Sequence, residues 1–150
     1  MPTQHKPVLK IRRAKPADAP RLADLSGQLG YPATPREIAR RMRKLASPQR
    51  DALFVAETSE AGVVGWLHVS VNHLLEVGTR AEINGLVVAE GHRSLGAGAR
   101  LLDAAETWAR ARGCPAMSVR SNVIRERAHK FYERQGYEHF KTQKAFRKPI

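Results

Sequence analysis

Apolar positions recur along this chain with two periods, and the switches between them mark out its elements. Val8 to Ala14 reads as a strand. Asp18 to Leu29 carries Leu22, Leu25 and Leu29 at helical spacing, and Gly30 ends it. Thr34-Pro35-Arg36-Glu37 starts a second helix, with a Thr cap, Pro at the first position and Glu three residues after the cap. Ile38, Met42 and Leu45 give that helix its apolar stripe. Leu53 to Glu57 and Val63 to Val71 read as strands joined by a turn around Ala61-Gly62. In the second, Leu67, Val69 and Val71 alternate with Trp66, His68 and Ser70. Ala81 to Ala89 is a further strand. A long helix from about Gly96 to Arg112 would bury Leu101, Leu102, Ala105, Trp108 and Ala109, and Gly113 with Pro115 stops it. Ala116 to Ser121 is a strand and Arg125 to Gln135 a helix with Ala128, Phe131 and Tyr132 on one side. Tyr137 to Phe146 reads as a closing strand region. The order β-αα-ββ-β-α-β-α-β is that of a mixed α/β sheet with two crossover helices.

One strand breaks its own period. In Glu82-Ile83-Asn84-Gly85-Leu86-Val87-Val88, Ile83 belongs on the core face, yet Leu86 and Val88 follow three and five residues later. One extra residue reconciles them, which is what a β-bulge supplies, and Gly85 is a suitable place. The alternative is a strand buried on both faces, against which Glu82 and Asn84 argue.

After that strand, Arg93-Ser94-Leu95-Gly96-Ala97-Gly98-Ala99 runs directly into the long helix. Small residues let backbone N–H groups converge at a helix N-terminus, where the dipole favours an anion, and a pyrophosphate is the natural guest. The loop lacks the Gly-Lys-Ser/Thr of a P-loop and the third glycine of a dinucleotide fingerprint. Taken alone, it also fits an ordinary βα turn.

Length and composition narrow the picture further. The 150 residues fit a single domain over 1–150, and 42% apolar content supports a core without a staple. The lone Cys114 excludes an internal disulfide and a Cys-rich zinc site. No apolar run approaches the ~18 residues of a membrane span, and MPTQHKPVLK lacks a signal-peptide apolar region. A cytoplasmic protein with no membrane partner is expected. The net charge of +12 attracts anions, whether nucleic acid, phosphorylated cofactors or acidic proteins, and Arg36, Arg40, Arg41, Arg43 and Lys44 crowd the second helix.

Arg93-x-x-Gly96-x-Gly98 after a bulged strand resembles the coenzyme A loop of the GNAT N-acetyltransferase superfamily, written Gln/Arg-x-x-Gly-x-Gly/Ala. Ala128-His129-Lys130-Phe131-Tyr132-Glu133-Arg134-Gln135-Gly136-Tyr137 resembles the last helix of the same superfamily. The likeness covers almost the whole chain and is strongest from Ala81 to Tyr137. Two departures stand out: Ser94 occupies a place often held by glycine, and Arg125 one often held by asparagine. Asn122, ten residues before Tyr132, resembles a variant spacing.

The resemblance implies a central sheet of about six to seven strands, a bulged and splayed fourth strand, and about four flanking helices. It implies an N-acetyltransferase that uses acetyl-CoA as co-substrate, without a metal, and acetylates a primary amine of a small molecule or protein by direct attack in a ternary complex. By the same resemblance Leu86, Val87 and Val88 would pair with the pantetheine arm through their backbones. Arg93, Ser94, Leu95, Gly96, Ala97, Gly98 and Ala99 would hold the pyrophosphate, with Asn122 and Tyr132 completing the cofactor site. Tyr132 would be the general acid toward the leaving thiolate. Glu82, just before the bulge, is the general-base candidate, with His68 and His129 as alternatives. Cys114 reads as a structural thiol rather than an acyl carrier. Two other functions fit parts of the sequence. A basic nucleic-acid-binding module would use the charge, but it lacks a recognition helix or an aromatic-interleaved basic strand, so nucleic acid is not the expected partner. A CoA-binding protein of the same fold without catalysis would use the loop alone. A homodimer is left open.

Overall fold

A computed structural model describes residues 8–45 and 47–150, and the backbone alone of Ser94. By its internal contacts the chain divides into one unit ending at Arg120 and a second over Ser121–Ile150.

The first unit is a five-stranded sheet in sequence order, made of β1 (Leu9–Arg13), β2 (Asp51–Thr58), β3 (Gly62–Leu74), β4 (Gly78–Val88) and β5 (Met117–Val119). The first four pair antiparallel and β5 runs parallel to β4. α1 (Ala19–Gln28) and α2 (Pro35–Lys44) join β1 to β2, and α3 (Ala97–Ala111) carries the crossover from β4 to β5. Thr34 accepts from Glu37 N at 3.1 Å while Glu37 Oε1 accepts from Thr34 N at 3.4 Å, the reciprocal cap that the sequence spacing predicts.

Each sheet face has its own apolar layer. Leu22 and Leu25 of α1 pack with Val55, Val63, Val87 and Ala89, and Trp66, Ile38 and Met42 lie against them. On the opposite face, Leu101, Leu102 and Ala105 of α3 are fully buried with Leu67 and Val69. An ideal Cβ on Gly65 would lie 3.3 Å from Val88 Cγ2 and 3.4 Å from Leu101 Cδ1, so Val88 and Gly65 both turn toward α3.

The bulge is present in β4. His68 pairs with Gly85 and Val69 with Ile83, which leaves Asn84 as the extra residue. Ile83, Leu86 and Val88 thereby lie opposite Val69, Leu67 and Gly65, on the α3 face, as their spacing predicts. Pairing with β5 covers only Ala81 to Ile83 and stops at the bulge. The two strands therefore splay apart from that point.

The second unit holds α4 (Glu126–Arg134) followed by Gly136, at a φ of +90°, and a tail without helix or strand. Two expectations need correction. The described residues form five strands, not six to seven, and Tyr137 to Phe146 is not a strand. A strand is stable only where a neighbour pairs with its backbone and its apolar side chains are covered. Here Phe140 is 68% and Phe146 91% exposed, among lysines and polar residues. His139 bonds locally instead, to Lys141 O at 3.1 Å and Thr142 Oγ1 at 3.0 Å.

Candidate active site

The bulge changes which way the backbone of β4 faces. Ala81 N–H donates to Ala116 O at 3.2 Å, on the β5 side. Ala89 N–H donates to Val64 O at 2.8 Å, on the β3 side. These residues are an even number apart, so a regular strand would point both the same way. The extra residue inverts the phase. Leu86 and Val88 therefore turn N–H and C=O away from β3, onto an edge where β5 no longer pairs. Arg93 Nε reaches Val88 O from that side at 3.4 Å. Val87 faces the other way: its backbone groups turn into the ladder with β3, opposite Trp66, and its side chain is buried under α1. The expectation that Val87 joins Leu86 and Val88 in offering backbone groups fails on this alternation.

Beyond Val88 the chain makes a 3-10 turn over Glu90–Leu95 and enters α3 through Gly96, at a φ of +75°. A side chain is strained at that φ, so glycine serves the turn. Arg100 N–H donates to Gly96 O at 3.1 Å, which leaves the N–H groups of Ala97, Gly98 and Ala99 as the unpaired start of the helix. Among the described residues no side chain caps them, and no acidic residue sits in the first turn. Arg93 and Gly96 are exposed, Leu95, Gly98 and Ala99 half-buried, and Ala97 buried. The Ser94 side chain lies outside what is described. The open edge of β4 thus leads into a helix start with free donors, which suits an extended chain ending in an anion.

The face of the sheet toward α1 is apolar at one end and polar at the other. The polar end takes Ser70 and Asn72 from β3 and Glu82 and Asn84 from β4. Asn84 Nδ2 donates to Ser70 Oγ at 2.7 Å. Asn72 Nδ2 donates to Glu82 Oε2 at 3.0 Å, and Arg120 Nε donates to Glu82 Oε1 at 2.6 Å. The carboxylate is 14% exposed while the Arg120 side chain is 80% exposed. That bond to Glu82 raises the Arg120 guanidinium above its ordinary value. His68 Nε2 lies 2.9 Å from Asp51 Oδ1 across β2 and β3. At the border between the two ends, the Trp66 indole lies over Gly85. A Cβ there would come within 2.7 Å of its Cη2 and Cζ3, so Gly85 serves the close approach as well as the bulge.

Glu82, the β4 edge and the loop from Arg93 to Ala99 belong to the first unit. Asn122 and Tyr132 belong to the second. Asn122 Oδ1 accepts from Ile124 N at 3.1 Å, and its carbonyl accepts from Arg125 N and from His129 Nε2, at 3.0 and 2.8 Å. Its side chain and that of His129 are thus engaged in the turn before α4. Tyr132 stacks edge-on with Phe131 and Tyr137, at centroid distances of 5.3 and 5.9 Å. Burial pushes its phenol above the ordinary value, with Arg125 acting in the opposite sense. Cys114 is buried, and burial raises its thiol too, which suppresses the thiolate an acyl carrier needs. Among the described residues no three His, Cys, Asp or Glu side chains gather to hold a metal ion, and no helix is long and apolar enough to cross a membrane. Asp51, Arg120 and the seat of Trp66 were not read from the sequence, because strand register alone brings them to their partners.

The chain matches the acetyltransferase (GNAT) family over residues 20–137. It is 30% identical over 145 residues to aminoglycoside N(6′)-acetyltransferase type 1 of Stenotrophomonas maltophilia, covering 93% of each chain. Its fold matches aminoglycoside antibiotic 6′-N-acetyltransferase AAC(6′)-Ih of Acinetobacter baumannii with a TM-score of 0.84 at 18% identity, over 95% of this chain and 99% of that one. It also matches aminoglycoside N-acetyltransferase AAC(6′)-Iy, solved in complex with CoA, with a TM-score of 0.85 at 16% identity over 99% of both chains.

Proposed function

The chain belongs to the acetyltransferase (GNAT) family and is an acetyl-CoA-dependent N-acetyltransferase, and we propose that its acceptor is a primary amine of a small molecule, acetylated by direct attack in a ternary complex. The observation that carries this reading is the outward turn of Leu86 and Val88 on a strand that runs into the uncapped start of α3. Acetyl-CoA supplies an acyl carbon activated by a thiolate leaving group. The N–H and C=O groups of Leu86 and Val88 hold the pantetheine arm as an added strand, and the N–H of Val88 polarises the carbonyl. The N–H groups of Ala97, Gly98 and Ala99, with Arg93, hold the pyrophosphate.

Tyr132 is the proton donor to the departing thiolate. Its raised phenol stays neutral at physiological pH and keeps the proton it has to give. The acceptor amine must lose a proton to become nucleophilic. Glu82 and His68 both face the polar end of the sheet and are the groups placed to help it. An aminoglycoside amine is the first acceptor to test, because the Stenotrophomonas relative carries that activity in its name.

The experiment is thiol release from acetyl-CoA across a panel of amines. The panel includes aminoglycosides with and without a primary 6′-amine, alongside calorimetry with CoA. Turnover that needs the 6′-amine supports the full reading. CoA binding without turnover on any amine means that the fold has kept the ligand and lost the reaction. Tight, salt-sensitive DNA binding without CoA binding means that the basic surface carries the function.

A further inference from the structure

We infer that Asp51 and His68 form a dyad that takes the proton of the incoming amine, while Glu82, clamped by Arg120 and Asn72, holds the ammonium group as it arrives. The inference rests on the acetyl-transfer reading and assigns the proton route within it.

The two candidate acceptors differ in what already occupies them. Both oxygens of Glu82 are engaged, one by Arg120 and the other by Asn72. The two bonds fix the orientation of the carboxylate. A carboxylate held in place this way is suited to orienting a cation.

His68 is engaged at one nitrogen only. Asp51 Oδ1 lies 2.9 Å from Nε2, and the two side chains are 21% and 14% exposed for His68 and Asp51. An aspartate that accepts from Nε2–H fixes the tautomer and leaves the lone pair on Nδ1. Among the described residues no hydrogen bond to Nδ1 is formed. An imidazole oriented by a carboxylate at one nitrogen, with the other available, is the arrangement of a general base.

Its position also fits. His68 is the ladder partner of Gly85, at the bulge itself and one residue before Leu86, whose backbone turns to the open edge. Cross-strand partners stand about 5 Å apart and an added chain would lie about one further strand spacing beyond β4, so a relay of waters is what would link the ring to an amine at that edge. The Trp66 ring over Gly85 walls one side of this place, and Asn84, Ser70 and Glu82 line the other.

The balance of the step is simple. The ammonium passes one proton, through those waters, to His68 Nδ1. The nitrogen forms the new C–N bond to the acetyl carbon while the C–S bond breaks. The thiolate takes its proton from Tyr132. Once the C–N bond has formed, the nitrogen loses a second proton to solvent or to the Tyr132 phenolate, the amide keeps one N–H, and His68 returns its proton to solvent. Asp51 touches no substrate: it is a positioning residue that holds the tautomer and the charged imidazole.

The test is steady-state thiol release with the best amine of the panel, separating kcat from the amine KM. His68→Ala should lower kcat by about 10²–10⁴-fold with little change in KM, and added imidazole should restore part of it. Asp51→Asn should lower kcat at least ~10-fold, since the tautomer is no longer fixed. Glu82→Gln should act in the other direction, raising KM for the amine while kcat stays within a few fold. Should His68→Ala fail to fold, Asp51→Asn reads the same step on its own. A kcat within threefold of native in a folded His68→Ala or Asp51→Asn variant overturns the dyad. So does a kcat loss in Glu82→Gln as large as that in His68→Ala without imidazole rescue. Native protein that binds CoA but acetylates no amine overturns acetyl transfer itself, and the role of the dyad with it.

Discussion

Tyr132 differs from a phenylalanine by one hydroxyl, which makes it the cleanest residue at which to separate packing from chemistry. Its ring makes edge-on contacts with Phe131 and Tyr137 that phenylalanine would keep. Tyr132→Phe should therefore cost about 1 kcal/mol of stability or less. If the phenol protonates the leaving thiolate, turnover should fall by ~10²–10⁴-fold. CoA affinity should change far less, because the hydroxyl acts on the leaving group. Rapid-quench measurement of the chemical step with a good acceptor decides the matter. A loss under about threefold in a variant that melts normally would assign Tyr132 to packing.

At the scale of elements, the bulge of β4 and the start of α3 make separable predictions. Deleting Asn84 removes the extra residue while Ala81, Ile83, Leu86 and Val88 keep their face, so the apolar layer against α3 survives. The loss includes one part-buried hydrogen bond to Ser70, worth about 1 kcal/mol or less. A straightened β4 can pair with β5 past Ile83, which closes the open edge. The variant should fold and bind CoA at least about tenfold more weakly by calorimetry, a difference near 1.4 kcal/mol. Unchanged affinity would place the arm elsewhere. At α3, Gly98→Asp puts a carboxylate in a first turn that has none. The helix itself favours that charge, so melting should hold or rise while CoA affinity falls. A parallel loss of both would mean that the loop is merely structural. The bulge was legible in the sequence because the spacing of Ile83, Leu86 and Val88 is a local arithmetic fact. The Asp51–His68 pair was not. Its members lie 17 residues apart, and only the β2–β3 register, itself shifted at Ala56/Glu57, brings them together. The tail failed for the converse reason. Tyr137, Phe140 and Phe146 have strand-forming side chains, but propensity supplies no partner for the backbone.

Taken whole, the molecule carries 26 Lys and Arg against 14 Asp and Glu, so its few anions matter more to stability than their number suggests. Arg12 of β1 grips both oxygens of Asp18, in the turn before α1, at 2.9 Å each, and reaches Glu57 of β2 at 3.0 Å. Its hydrogen bonds hold both carboxyls below their ordinary values, against the opposing effect of burial. A carboxyl depressed in the folded state stabilises the fold above its unfolded value, and that stability is lost as pH falls through the folded value. The unfolded values are about 3.9 for Asp and 4.3 for Glu, so the native protein should melt at a nearly constant temperature from pH 7 to about 5 and progressively lower beneath that. The rising positive charge steepens the fall. Arg12→Met should cost about 1.5–3 kcal/mol at neutral pH, mostly through Asp18, since the Glu57 pair is more open to solvent. The gap between the two proteins should shrink progressively as pH falls below about 4, as the two carboxyls take up protons. Urea midpoints at pH 7, 4 and 2 measure it. A gap of the same size at all three would mean that Arg12 stabilises the fold through the packing of its stem rather than through its charge.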